Sequence, residues 1–339
     1  MENNKLVVIS SGLILVFLAG LVLRLAKPVF FPFFLAIFFY FILSPILDFL
    51  MRLKIPKLAA VFLIIISSFV ILYLLGILFY TSGKGLAEAF PDYARRLTGI
   101  VSSLTGKLGL SNANWEPWLW SKSLDGTRVA SFFVQSLNQV FSFFSTFILI
   151  FVFLIFMLAG RGKLKTKVER SFSRQRASKI NEVLDNIDRD VQKYLSIKTG
   201  ISFLSGFLTM LVLLIFGVDF AVIFGFLTFV LNFIPSLGSI TAVALTCIIA
   251  AFQFGSIFPA VWILLILIAL DTVVSNFVEP KLVGRGLGLS PLVIIFSLFF
   301  WGWLWGIPGM ILAVPLMAVV RIVCSNVPSL KPVAEIMSA

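Results

Sequence analysis

The sequence predicts an all-α polytopic membrane protein with about six full spans plus two re-entrant helical hairpins, eight hydrophobic segments in all, and an inverted repeat in the C-terminal half. Three observations predict it. First, 60% of the 339 residues are apolar and 12% are charged, against about 45–50% apolar in a soluble domain; the mean hydropathy is +1.09. Second, the apolar residues fall in runs of the roughly 20 residues needed to cross ~30 Å of hydrocarbon. Third, two of those runs are too long for one crossing and too short for two, and each is broken by proline and glycine.

The first run, residues 6–23, is closed by Arg24 and Lys27. It has no small-residue cleavage site after it, so it is expected to be a retained helix and not a removed signal. The second, 29–47, ends at Asp48, Arg52 and Lys54, and the third covers 58–80. A less apolar region follows to about 131. Its Trp115, Trp118 and Trp120 suit the headgroup zone, and its glycines and serines weaken the case for long regular structure at 99–114. The fourth run is 132–159. Residues 164–195 then place Leu164, Val168, Phe172, Ile180, Leu184, Ile187, Val191 and Leu195 three, four or eight apart. Charged residues occupy the rest, which is the pattern of an amphipathic helix or kinked pair lying on the membrane face or on a partner subunit. A fifth run covers 199–217.

Beyond it the pattern changes. No Lys or Arg occurs between Thr199 and Pro280. Residues 218–254 are apolar except at Asn232-Phe233-Ile234-Pro235-Ser236-Leu237-Gly238. A clean run, 256–278, leads to a polar turn at 279–285. Residues 289–320 are apolar, broken between Gly302 and Gly309.

Orientation follows from the positive-inside rule. Residues 161–193 carry ten basic and five acidic side chains, and 84–131 carry six and four. The first segment is therefore expected in the cytoplasm and the second outside, with both termini cytoplasmic. The same charge balance accounts for the net +12 without a nucleic-acid partner. The two long runs must then return to the side they entered, as re-entrant hairpins turning at Pro235 and Pro308. Broken backbone at membrane depth survives only when buried in protein or lining a wet cavity. Inverted broken repeats of this kind mark secondary transporters. Two pairs of short tilted helices are the plainer alternative.

Enzymatic chemistry finds no support. With no histidine, His-based acid–base or nucleophilic catalysis and His-ligated metals are excluded. Cys247 and Cys324 form no CxxC, so a disulfide framework or thiolate metal site is not expected. There is no P-loop and no dinucleotide fingerprint at Gly284-Arg285-Gly286-Leu287-Gly288. Asp271 stands alone in its run, against a paired-aspartate protease. No cofactor and no metal are expected.

The candidate sites are the polar groups at depth, where a charge costs about 3 kcal/mol on insertion scales. Asp271, Ser275 and Glu279 fall at steps of four and share a helical face, with Asn276 one position off. Asp271 and Glu279 are candidates for carrying a coupling proton or cation; Glu279 as an interfacial carboxylate paired with Lys281 or Arg285 is the structural alternative. At the first tip Asn232, Pro235, Ser236 and Gly238 offer an amide, a hydroxyl and freed backbone groups to a small polar solute. At the second, Pro308 and Gly309 correspond, while Gly302 and Gly306 have the GxxxG spacing of close helix packing.

The segments 232–238 and Asn276-Phe277-Val278-Glu279-Pro280-Lys281-Leu282-Val283-Gly284, together with Gly306-Ile307-Pro308-Gly309 followed by Ala313-Val314-Pro315-Leu316, resemble the autoinducer-2 exporter family of bacterial permease-like transporters over nearly the whole length. Ser236 stands where the family pattern has an aromatic residue. The resemblance implies an inner-membrane homo-oligomer, a pentamer in similar proteins, exporting a small signalling molecule of quorum sensing or moving some other small solute, and an elevator-like movement of the two hairpins agrees with the repeat. On that reading residues 1–160 are the scaffold and oligomerisation part, with an extracytoplasmic segment at 84–131. Residues 161–198 are the cytoplasmic amphipathic helix, 199–320 the transport unit and 321–339 a cytoplasmic tail. The expected partners are a small-molecule solute, membrane lipid and further copies of the chain. A sodium (cation)/proton antiporter using Asp271 and Glu279 is the alternative within transport, since similar proteins have been linked to such exchange. A channel is a further form of transport, and a non-transporting membrane scaffold built on the 161–195 helix is the alternative of another class.

Overall fold

The computed structural model describes residues 20–107, 146–283 and 287–338. Most of the first run, the three tryptophans of 115–120, the start of the fourth run, Gly284 and Arg285 lie outside them. The helices are α1 (Lys27–Arg52), α2 (Lys57–Lys107), α3 (Thr146–Gly160), α4 (Lys163–Ser171), α5 (Arg174–Ile215), α6 (Ala221–Leu231), α7 (Leu237–Phe254), α8 (Ile257–Val273), α9 (Pro291–Trp305), α10 (Ile307–Asn326) and α11 (Lys331–Met337). The protein is all-α and polytopic, with six described helices long and apolar enough to cross a membrane.

Contacts divide the chain into two units interleaved in sequence. One comprises Met1–Ile65, Ser145–Ser196 and Arg285–Ala339, the other Ile66–Phe144 and Ile197–Gly284. The hairpin of α6 and α7 belongs to the second unit, and that of α9 and α10 to the first.

In the first unit, α1 opens with Pro28 in its first turn, where its missing N–H is harmless. Phe31 and Phe34 of α1 meet Trp305, with ring centroids 6.1 and 5.4 Å apart, the first edge-on and the second tilted, which avoids the face-to-face sandwich that aromatic quadrupoles disfavour. Lys57 donates to the carbonyls of Ala159 and Arg161 at 3.1 and 3.0 Å, capping the end of α3. Arg161 in turn pairs with Asp48 at 2.6 Å. The turn between α9 and α10 is the single residue Gly306, at φ +76°. Ser297 ties the two arms by donating to the Ala313 carbonyl at 3.0 Å. The C-terminal α11 returns to this hairpin's entrance, where the Ser290 N–H donates to Met337 O at 2.9 Å.

In the second unit, Leu213, Val218, Ala221, Phe224, Ala250, Ala260, Ile263 and Leu267 form a buried apolar cluster. Helices α5 and α6 approach through Gly206 and Gly225: a methyl at Gly206 would lie 2.5 Å from the Gly225 carbonyl oxygen, so only glycine permits the crossing. At one end, Asp219 accepts from the Tyr93 hydroxyl at 2.5 Å, and its own N–H donates to Gln253 Oε1 at 2.7 Å. Gln253 Nε2 donates to Gly217 O at 2.8 Å. This clasp ties α2 to the turn that precedes α6 and to the last turn of α7.

Three details differ from the sequence expectation, and one open alternative is decided. Helix α2 runs unbroken for 51 residues, so 99–107 is regular. Gly99 and Gly106 stand seven residues apart, and single glycines cost a helix only about 1 kcal/mol each, too little to end it. The fifth span is present as the apolar half of α5, a 42-residue helix, and is continuous with the amphipathic segment because nothing between Lys193 and Thr199 breaks a helix. The amphipathic stretch is the kinked pair, α4 then α5. The polar turn at 279–285 is helical to Val283: α8 passes through a π turn, Val274–Val278, and a last α turn, Glu279–Val283. Pro280 supplies the reason. Its ring would clash with the carbonyl four residues back, and a wider π turn relieves that while Glu279 N–H bonds to Val274 O.

Helix α6 has 11 residues and α7 has 18, about 16 and 27 Å of rise. Helix α9 has 15 residues and α10 has 20. Each hairpin thus joins an arm too short to cross with one that is long enough. Both close on a glycine. A methyl at Gly238 would lie 1.7 Å from Leu231 O, and one at Gly309 would lie 2.1 Å from Trp301 O. Gly238→Ala and Gly309→Ala are therefore expected to cost about 2–4 kcal/mol each. Gly76→Ala meets nothing within 4 Å and should be neutral or stabilising by up to about 1 kcal/mol. Thermal melting in detergent checks this; equal midpoints for all three would contradict it.

Candidate functional site

The site is built from two polar stripes on apolar helices of the second unit. On α5, Lys198, Ser202, Ser205 and Thr209 follow at steps of four, three and four, one face of a helix. On α8 and its extension, Glu279, Ser275 and Asp271 run the opposite way. The two stripes form one antiparallel seam. At one end Lys198 Nζ donates to Glu279 Oε1 at 2.7 Å, with the Lys198 side chain 5% exposed and that of Glu279 26%. At the other end, Asp271 shares a small chamber of about 20 Å³ with Ser205, Thr209, Thr228 and Ser239. The Ser275 hydroxyl lies 3.5 Å from Asp271 Oδ1 on the chamber's rim.

The first hairpin tip is fastened to the middle of this seam. Asn232 is buried and donates through Nδ2 to Ser202 Oγ at 3.2 Å. The tip satisfies most of its own backbone: Ile234 N–H bonds to Leu231 O, and Gly238 N–H to Ile234 O. Ser236 is exposed and stands at φ +61°, in the left-handed region that a non-glycine residue enters at a cost of about 1–3 kcal/mol. Thr228 and Thr241 spend their hydroxyls on carbonyls one turn back, the usual habit of Thr in apolar helices. Ser205 differs: its Oγ is buried and, among the described residues, has no hydrogen-bond partner. It is available to a water or cation in the chamber. A cavity of this size holds about one water, and a carboxylate with hydroxyl oxygens is the donor chemistry of a hard cation or a proton.

The structure brings together Asn232, Asp271 and Glu279 of the sequence candidates, through Ser202 and Lys198. Pro235 and Ser236 lie on the tip away from the chamber. Gly238 faces the Leu231 carbonyl of its own hairpin, which is a packing contact. Asn276 is exposed and does not line the chamber. Pro308 and Gly309 lie in the other unit; Pro308 starts α10, and Gly309 packs on Trp301 O. Trp301 Nε1, beside this second turn, is buried with no partner among the described residues.

One pairing is corrected. Glu279 bonds to Lys198, 81 residues away in sequence, and not to Lys281, which is exposed. Lys198, Ser202, Ser205 and Thr209 are candidate site residues that the sequence reading does not single out. Their 4-3-4 spacing, and the position of Lys198 as the last cation before a long stretch without one, were the available signals.

The chain is similar in sequence to known transport proteins. Residues 12–329 match the family model described as AI-2E family transporter. The chain is 31% identical over 328 residues to a putative transport protein of Borreliella burgdorferi, covering 94% of this chain and 86% of the relative. It is 29% identical over 340 residues to the AI-2 transport protein TqsA of Escherichia coli, covering 99% and 96%. A putative transport protein of Haemophilus influenzae is 31% identical, covering 97% and 96%.

The ion pair gives a direct energetic test. Removing one partner of a buried pair strands the other charge, while replacing both with apolar groups is nearly neutral. Lys198→Met alone is expected to cost about 2–4 kcal/mol, Glu279→Leu somewhat less because Glu279 is the more exposed partner, and the double variant less than either. A thermal-melting double-mutant cycle measures this; additive losses would show that the pair does not couple.

Proposed function

Because the chain belongs to the AI-2E transporter family, we propose that it exports a small polar organic molecule, autoinducer-2 itself, from the cytoplasm in quorum sensing. That it is a membrane transport protein follows from the family. The finer reading rests on the seam: a carboxylate, an ion pair and a row of hydroxyls lie along two apolar helices with a hairpin tip fastened to them, and groups so costly to bury mark solute and ion pathways. The relative TqsA is named for AI-2 transport, and its similarity over nearly the whole length supports the substrate.

The proposed cycle is an elevator-like alternating access. In the described state the chamber is water-sized, so a solute requires the tip to move. Breaking the Asn232–Ser202 hydrogen bond frees an amide and a hydroxyl to bind solute oxygens, and the strained backbone at Ser236 provides a point where the tip can hinge. Asp271 carries the coupling proton or cation. The excess of cations between 161 and 193 supports a cytoplasmic position for that segment and both termini in an inner-membrane protein, and the proposed working form is a homo-oligomer of five copies, as the family resemblance implies.

One observation favours a second reading, cation/proton antiport without an organic solute. The chamber's volume of about 20 Å³ fits a water or a stripped monovalent cation as it stands. Proteoliposomes loaded with autoinducer-2 separate the two. Wild-type protein should release it faster than protein-free vesicles, and Asp271→Asn and Asn232→Ala should each lower the rate about tenfold or more, a loss of 1.4 kcal/mol or more. Proton flux driven by a sodium gradient with no organic solute present would establish antiport instead. Normal flux in both variants would remove the seam from the mechanism.

A further inference from the structure

We propose that α4 is an interfacial helix that binds the headgroups of anionic phospholipids. The span α3 ends at Gly160, the chain turns at Gly162 with φ +88°, and α4 leaves at 65° to α3. A helix that turns this far on leaving the apolar layer lies along the membrane surface rather than projecting from it. Its inner face is held by the protein: Val168 is buried, Lys165 pairs with Asp185, and Glu169 accepts from Asn181 Nδ2 at 3.2 Å.

The other face is cationic and unneutralised. Lys163, Lys167 and Arg170 fall within about 60° of arc at 100° per residue, and all three are exposed. Arg174 and Arg176 follow at the start of α5, also exposed. None of these five has an ion pair among the described residues. Flanking them, Leu164 is 59% and Phe172 48% exposed. Cations with apolar side chains at their border are the composition that seats a helix at the headgroup–acyl boundary, and clustered Lys and Arg beside a span select anionic headgroups. The bend, the exposed apolar pair and the excess charge all fit a phosphodiester-bearing lipid with a net negative charge.

The test is thermal melting of the delipidated full-length protein in detergent, titrated with phosphatidylglycerol, with phosphatidylcholine of the same chains, or with glycerol 3-phosphate. Phosphatidylglycerol should raise the wild-type midpoint by about 3 °C or more beyond phosphatidylcholine, and glycerol 3-phosphate should leave it unchanged. The variant Lys163→Gln/Lys167→Gln/Arg170→Gln should melt with wild type in phosphatidylcholine and lose most of the phosphatidylglycerol increment. Lys167→Gln alone, losing part of it, serves if the triple variant melts early. Equal midpoints in the two lipids, or a full increment in both variants, would mean that these cations serve membrane topology only. A shift with glycerol 3-phosphate alone would assign the face to a soluble phosphate and overturn the lipid.

Discussion

The constraint that organises the second unit is that polar groups on apolar helices are costly to bury unless they pair with one another or share a water-sized chamber. Lys198 and Glu279 do so as an ion pair. Asn232 and Ser202 do so as an amide–hydroxyl pair. Asp271 has Ser275 beside it and a ring of hydroxyls about a chamber. These contacts fall in sequence along two antiparallel helices, so the apolar helices, the hairpin and the polar seam form one arrangement. A buried ion pair is a poor source of stability, and on the proposed reading the seam serves a moving solute or ion.

The hairpin depends on the same logic. A turn buried among apolar helices must close its own backbone bonds, and the first tip does so with i→i+3 and i→i+4 bonds around Pro235. Closing it brings the second arm onto the first so tightly that Gly238 lies against Leu231 O, as Gly309 lies against Trp301 O. These glycines serve the turn, leaving Asn232 and the hydroxyls to meet the seam. The π turn before Glu279 plays a related part: widening the helix accommodates Pro280 and sets the register at which the carboxylate reaches Lys198.

Much of this was legible in the sequence. The spans followed from hydropathy, the two breaks from Pro235 and Pro308 between apolar runs, and the face shared by Asp271 and Ser275 from the step of four. What was not legible is long-range or cooperative. Nothing local says that Glu279 prefers a lysine 81 positions away to one two positions away. The continuity of α5 was hidden by its change from a charged to an apolar half, which reads as a boundary although no residue there breaks a helix. The interleaving of the two units is a property of packing, since a contact between residues 44 and 192 leaves no mark on either segment.

The central claim is that the Asp271 chamber opens to the aqueous phase during transport. The most direct measurement places a single cysteine at Ser239, on the chamber wall, in a Cys247→Ala/Cys324→Ala background, and follows its modification by a small membrane-impermeant thiol reagent in proteoliposomes. The account predicts slow but finite labelling that changes in rate when autoinducer-2 or a coupling cation is added. A cysteine that never reacts, from either side and under every gradient, would show a closed structural core and contradict it.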